Sequence, residues 1–236
     1  MTPDISTLDR GSSLQRDGLN HQAIEDYLKT IYMLEREESP VSTSRISAAR
    51  NVKPGSVTSM IQRLNKLNLV NYKKHYGVTL TPSGQVIALE VIRHHRLVEL
   101  YLIEALGFSW DEVHVEADLL EHVISEKMEE RMAAALNFPE FDPHGDPIPS
   151  KEGLMVDIRG QRLSTIKIGH TVILARVLDD KNSDLLRYLA DIGLLPGARV
   201  TVVDVAPFDG PLTVLIDGKE KVVGQKVAST VLVEKA

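Results

Sequence analysis

The sequence predicts a mainly α-helical protein with a β-rich C-terminal part: a winged helix-turn-helix, a helical metal-binding and dimerisation domain, and a small β-barrel. Three observations predict it. Apolar residues recur at helical spacing from His21 to about Leu136, then alternate like strands from Leu163 to Ala236. Charge is segregated: Val41 to Leu89 contains no Asp or Glu but seven Lys and Arg, whereas Asp111 to Glu152 holds twelve acids against three bases. One block suits a polyanion and the other suits cations, although the net charge is only −6. Finally, the stretch His114 to His122, read as a helix, aligns His114, Asp118, Glu121 and His122 on one stripe. The plain alternative for that stripe is a solvated acidic face with two incidental histidines.

With 236 residues and 43% hydrophobic composition, the chain can form one large domain or two to three small ones with real cores. There is no cysteine, so a metal here must be held by carboxylate, imidazole, carbonyl or water. No signal-peptide run and no membrane-length apolar stretch is present, so a cytoplasmic protein that does not enter a membrane is expected.

Residues 1–20 are polar and aperiodic and read as a flexible tail. Ala23, Ile24, Tyr27, Leu28, Ile31 and Tyr32 then mark the first helix, with Asp26 at the border of its apolar face. Ser42 or Thr43 can cap a short helix ending near Arg50, and Asn51 suits a left-handed exit. Pro54 opens the next helix, on which Val57, Ile61, Leu64 and Leu67 form the buried stripe. The opposite face offers Ser56, Thr58, Ser59, Gln62 and Arg63, small hydrogen-bonding groups and one cation that let a helix approach base edges and phosphates. Two β-prone segments around His75-Tyr76-Gly77 read as a wing with Lys73 and Lys74 at its tip. Together, residues 21–82 predict a winged helix-turn-helix that contacts DNA through Lys53, Ser56, Thr58, Ser59, Arg63, Lys73 and Lys74. A generic helical hairpin with a solvated basic tip is the alternative.

Residues 83–150 predict two long helices, one to about Leu106 and one continuing to about Leu136. His95 and Glu99, four apart on the first, form a second half-site. Val113, Val115, Leu119, Leu120, Val123, Ile124 and Met128 exceed what one small helical core needs, which predicts a homodimer interface. A proline- and glycine-bearing connection follows, with residues 151–162 as a linker. Residues 163–236 predict the barrel, with turns at Pro196-Gly197, Phe208-Asp209-Gly210 and Asp217-Gly218 and a short helix near Asp184 to Ile192.

These motifs resemble the diphtheria toxin repressor family of iron- and manganese-dependent transcriptional regulators. The resemblance rests on Glu25-Asp26-Tyr27-Leu28-Lys29-Thr30-Ile31-Tyr32, the winged helix, Arg93-His94-His95-Arg96-Leu97-Val98-Glu99, Val113 to Asp118 with Glu121-His122, and Asp142 to Pro149. Leu186 to Gly197 is similar to the SH3-like module of ferrous-iron transport accessory proteins, so residues 163–236 are expected to be SH3-like. The resemblance implies one metal site of Asp26, Asp118, Glu121 and His122 and another of His95, Glu99 and His114. Iron-type relatives carry a methionine and a cysteine where this chain has Asp26 and Asp118. Hard oxygen donors in those places favour Mn²⁺ while still admitting Fe²⁺. Small manganese regulators carry a glutamate where Lys29 stands, and a protonated lysine cannot ligate. The expected function is thus a Mn²⁺-dependent, homodimeric repressor of metal-uptake genes that binds a double-stranded DNA operator. A metal-dependent hydrolase, or a winged-helix regulator with an organic effector, are the competing readings.

Overall fold

The computed structural model describes residues 10–157 and 160–236, with side chains described from His21 onward. It divides into two compact units, residues 1–92 and 93–236. In the first unit, α1 (Arg10–Glu35) begins earlier than the periodicity from His21 indicates, so residues 10–20 are helical. Once nucleated, a helix extends at little cost through residues such as Leu14, Gln15 and Arg16. The remainder of the expected tail, residues 1–9, lies outside the described residues.

Helix α2 (Thr43–Arg50) starts and stops as its sequence dictates: Ser42 Oγ accepts from Arg45 N at 3.2 Å, and Asn51 leaves the helix at φ 50°. Removal of the cap by Ser42→Ala is expected to cost about 1 kcal/mol, read as a lower denaturation midpoint. Helix α3 (Pro54–Lys66) buries Val57, Ile61 and Leu64 against Tyr27, Leu28 and Ile31 of α1 and Ile46 of α2. Leu67 does not join that stripe. It is the C-cap residue and half exposed, because the helix ends one residue before it.

The wing is an antiparallel hairpin of β1 (Val70–Lys73) and β2 (Gly77–Leu80). Val41 exchanges backbone hydrogen bonds with Val78 at 2.8 and 2.9 Å, which ties the wing to the helix-turn-helix. Gly77, at φ 125°, sits so near Val41 O and Pro40 that a Cβ would not fit.

Helix α4 (Pro82–Leu106) continues into the second unit. There Leu97, Val98 and Leu102 pack with Val113 and Ala117 of α5 (Val113–Leu120) and Met132 and Ala133 of α6 (Glu126–Ala135). The expected single helix from Val113 to Leu136 is therefore two. Ser125 breaks it by capping α6: its Oγ accepts from Met128 N at 3.3 Å, with Glu126 and Glu129 in the first turn. Val115, Leu119, Val123 and Met128 remain exposed on α5, on α6 and in the turn between them, whereas Val113 of the expected dimer set is buried in the core of this unit.

The C-terminal part is a six-stranded antiparallel sheet in the order β3-β8-β4-β5-β6-β7: β3 (Gln161–Arg162), β4 (Thr171–Val177), β5 (Arg199–Val205), β6 (Leu212–Ile216), β7 (Lys219–Val223) and β8 (Val231–Lys235). Helix α7 (Ser183–Ile192) closes its core through Leu186 and Leu189, and α8 (Gln225–Ala228) through Ala228. The Phe208-Asp209-Gly210 and Asp217-Gly218 turns fall between strands, and Pro196-Gly197 falls between α7 and β5. No helix among the described residues is long and apolar enough to cross a membrane.

Candidate metal centre and nucleic-acid interface

On α3, Ser56, Ser59 and Arg63 are exposed at spacings of three and four, so they form one face, with Lys53 at its N-terminal end. Thr58 is half-buried, and its Oγ1 donates to Pro54 O at 3.0 Å, leaving lone pairs but no free proton. Lys73 and Lys74 are exposed on the wing, with Lys73 Nζ 3.9 Å from the Tyr76 ring centroid. Two other cations of the acid-free block are engaged. Arg45 meets Glu37 at 2.6 Å and Glu38 at 3.1 Å, and Arg50 donates to Asp26 Oδ2 at 2.9 Å. The basic surface is thus concentrated on α3 and the wing tip, the two parts of a winged helix that can reach a groove and its phosphates.

Asp26 belongs to the first unit; the other six expected metal donors belong to the second. His95 is the hub of those six. Its Nε2 lies 3.0 Å from Glu99 Oε1 and 3.1 Å from His114 Nδ1, and His114 Nδ1 lies 3.1 Å from the same Glu99 oxygen. Its Nδ1 faces Glu121 Oε2 and, at 3.4 Å, Asp118 Oδ1. Three lone-pair donors at the corners of a triangle about 3 Å on a side cannot all be satisfied by one shared proton. Cis ligands on an octahedral cation with bonds of about 2.1 Å would stand roughly 3.0 Å apart, so the donor set fits a divalent metal. Burial opposes ionisation of Glu99, but the charge of His95, hydrogen bonds with His114 and His95, and the nearby His144 outweigh it and hold the carboxyl well below the usual range. This buried acid is a ready carboxylate.

The four-residue stripe on one helix holds only in part. His114 and Asp118 lie on α5, Glu121 is its C-cap, and His122 stands in the following turn with Nε2 3.3 Å from Glu121 Oε1. Ligand atoms of His95, His114 and Asp118 converge within 4.8 Å, whereas Glu99 converges in the same way with Asp142 and His144.

Sequence reasoning passed over those last two residues. Asp142 and His144 sit in a tight turn, and both are buried. Asp142 Oδ1 accepts from His144 N at 2.8 Å and from Asp146 N at 2.9 Å, so one side chain shapes the turn that presents the imidazole. His144 Nδ1 is buried without a hydrogen-bond partner, 3.8 Å from Glu99 Oε2. Burial disfavours the imidazolium, but the neighbouring Glu99 carboxylate, with the charges of Asp142 and Asp180, overcomes it and pushes its pKa up to about 9. Burial, with Asp146 and Glu99 nearby, pushes Asp142 up to about 8 against the pull of Arg96 and His144. Both protons would leave if a metal took these groups as ligands. A His two residues from an Asp in a proline-rich loop was the available signal, but it has no periodicity to give it direction.

The barrel acid that reaches this group is Asp180, through its field on His144. Asp184, the acid singled out by sequence in that region, is almost fully exposed and lies 3.3 Å from Arg187.

Comparison with known proteins agrees with this anatomy. Residues 21–78 match the N-terminal DNA binding domain of the iron dependent repressors, residues 81–150 match their metal binding and dimerisation domain, and residues 161–235 match the FeoA domain. The iron-dependent repressor IdeR of Mycobacterium tuberculosis is 35% identical over 223 residues, covering 89% of this chain and 96% of that protein. The diphtheria toxin repressor of Corynebacterium diphtheriae is 29% identical over 220 residues, with the same coverage. Among solved structures, a manganese-dependent transcriptional repressor in complex with manganese is 36% identical with a TM-score of 0.80, over 90% of this chain and 100% of that one. The manganese regulator SloR is 34% identical with a TM-score of 0.68, over 90% and 98%. The chain belongs to the iron-dependent (diphtheria toxin) repressor family, and is a metal-responsive, DNA-binding transcriptional regulator with a dimerisation domain and an SH3-like FeoA domain. The family is one of repressors rather than enzymes, which removes the hydrolase reading.

Proposed function

We propose that this protein is a Mn²⁺-dependent repressor of metal-uptake genes, acting in the cytoplasm as a homodimer on a pseudo-palindromic operator, with Fe²⁺ as a weaker activator. The observation that carries the choice of ion is the donor set: carboxylates and imidazoles with no sulfur in a chain without cysteine. Hard oxygen donors at Asp26 and Asp118 suit Mn²⁺, and the manganese-dependent regulators among its relatives support the same choice. The proposed ligands are Asp26, Asp118, Glu121 and His122 for one site and His95, Glu99 and His114 for the other. Their convergence with the buried turn adds Asp142 and His144 as candidates on the Glu99 side.

A bound metal supplies a divalent positive charge. Without it, Asp118 and Glu121 face His95 and Asp26 is paired with Arg50. Sharing of a cation between the first helix and the dimerisation domain fixes the presentation of α3. In that state Ser56, Thr58, Ser59 and Arg63 read a major groove, Lys53, Lys73 and Lys74 hold phosphates, and two copies read successive half-sites. DNA in turn tightens metal binding.

Fluorescence anisotropy of a promoter fragment, at fixed salt, in chelator and then in buffered Mn²⁺ or anaerobic Fe²⁺, tests the proposal. Affinity is expected to rise strongly with Mn²⁺ and less with Fe²⁺. An equal response to both ions would remove the preference, and an operator bound equally well in chelator would favour an organic effector.

A further inference from the structure

Between the metal-binding helix and the barrel, one carboxylate is gripped from both sides. Asp146 Oδ1 accepts from Arg96 Nη2 of α4 at 2.8 Å and lies 2.7 Å from Arg176 Nη2 of β4, while Arg176 Nε donates to Asp146 Oδ2 at 2.9 Å. Asp146 is 2% exposed, so this is a buried, charge-assisted clamp rather than a surface pair. It closes the turn that begins at Asp142, whose backbone N donates to Asp146 O at 2.8 Å. The barrel holds the same turn through its backbone, where Val177 N donates to His144 O at 2.9 Å. Gly145, at φ 86°, lies against Ala175 O with no room for a Cβ. The turn that carries His144 is thus held from the barrel side by β4 and by Arg176 through Asp146, while the ring itself meets Trp110, whose carbonyl lies 3.2 Å from Nε2.

We infer that Arg176 of the barrel is a positioning residue for the metal group formed by Glu99, Asp142 and His144, so that docking of the SH3-like domain sets metal affinity without Arg176 itself being a ligand. This rests on the reading of that group as a metal site. Arg96 does not do the same work: it sits on the ligand-bearing helix and also donates to Pro147 O at 2.5 Å, so its grip holds the turn to the helix and not to the barrel. Arg176 supplies the second side. Outer partners of this kind change metal affinity about 10- to 100-fold when removed.

The one tryptophan of the chain makes the inference measurable. Trp110 stacks on His144 with centroids 5.3 Å apart and donates from Nε1 to Pro143 O at 2.9 Å. Mn²⁺ is paramagnetic, so its arrival beside His144 is read as quenching of Trp110 in the full-length protein. Expected is an apparent Kd for the quench about 10-fold weaker or more in Arg176→Leu, with most of the affinity restored in Arg176→Lys. Glu99→Gln is expected to abolish the quench while binding at the remaining donors, followed by Mn²⁺ electron paramagnetic resonance, persists. A wild-type quench curve in Arg176→Leu, alongside a lost quench in Glu99→Gln, overturns the positioning role alone. A full quench in Glu99→Gln overturns the metal reading and this inference with it. If Arg176→Leu undocks the barrel, Arg176→Lys decides: a lysine variant as weak as the leucine one, with a folded barrel by circular dichroism, overturns the role of the charge.

Discussion

His95→Ala is expected to abolish metal-dependent operator binding, with Mn²⁺ affinity at its site falling by at least about 100-fold, beyond what loss of an outer partner causes. His95 meets Glu99, His114, Asp118 and Glu121 through its two ring nitrogens. Its removal therefore takes one donor away and releases the orientation of four more. The proposed DNA contacts are untouched, because Ser56, Ser59 and Arg63 lie on α3 and Lys53 at its N-terminal end, all in the first unit. Binding to non-operator DNA at low salt should consequently remain, since it depends on phosphate contacts rather than on the metal. Isothermal titration with Mn²⁺ and anisotropy with operator and scrambled DNA measure both halves. Retained operator affinity in the variant, at saturating Mn²⁺ for the wild type, would show that these donors do not govern the switch.

The sequence made each donor on a helix legible and left their grouping hidden. Spacings of three and four predicted that His95 and Glu99 are neighbours and that His114 and Asp118 share a face, and both hold. They could not reveal that Glu99 also faces a turn more than forty residues later, because Asp142 and His144 lie in a loop whose direction follows from Asx hydrogen bonds and arginine clamps. Local chemistry fixed the helix-turn-helix well: the Ser42 cap, the Asn51 exit and the Val57, Ile61 and Leu64 stripe are near-neighbour effects. The break at Ser125 was missed since Val123, Ile124 and Met128 keep an apolar pattern across it. Those side chains are exposed or half-buried and do not report the core period of one helix. An apolar pattern that continues over exposed side chains misleads a reading that assumes every apolar residue marks one core.

Asp146→Ala is expected to destabilise the second unit more than any substitution of an exposed acid. The buried carboxylate lies between two guanidinium groups, at 2.8 Å from Arg96 and 2.7 Å from Arg176. Burial pushes its carboxyl up while Arg96 and Arg176 pull it down, and the balance depends on both cations staying in place. Truncation to alanine leaves those cations facing a space that no other carboxylate fills as closely. Among the described residues, Arg96 then keeps Asp142, at 3.5 Å, as an acid partner. Breaking a buried pair in this way costs about 3–5 kcal/mol, which for a unit of this size lowers Tm by roughly 6–20 °C. Exposed pairs such as Lys151 with Glu130 should give little change when cut. A double-mutant cycle separates the clamp from general disruption: in Asp146→Ala with Arg176→Leu the uncompensated barrel cation is gone, so the combined loss should fall short of the sum of the two single losses. Strict additivity would mean that Asp146 and Arg176 act independently, and that the barrel is held by its backbone contacts to His144 and Gly145 instead.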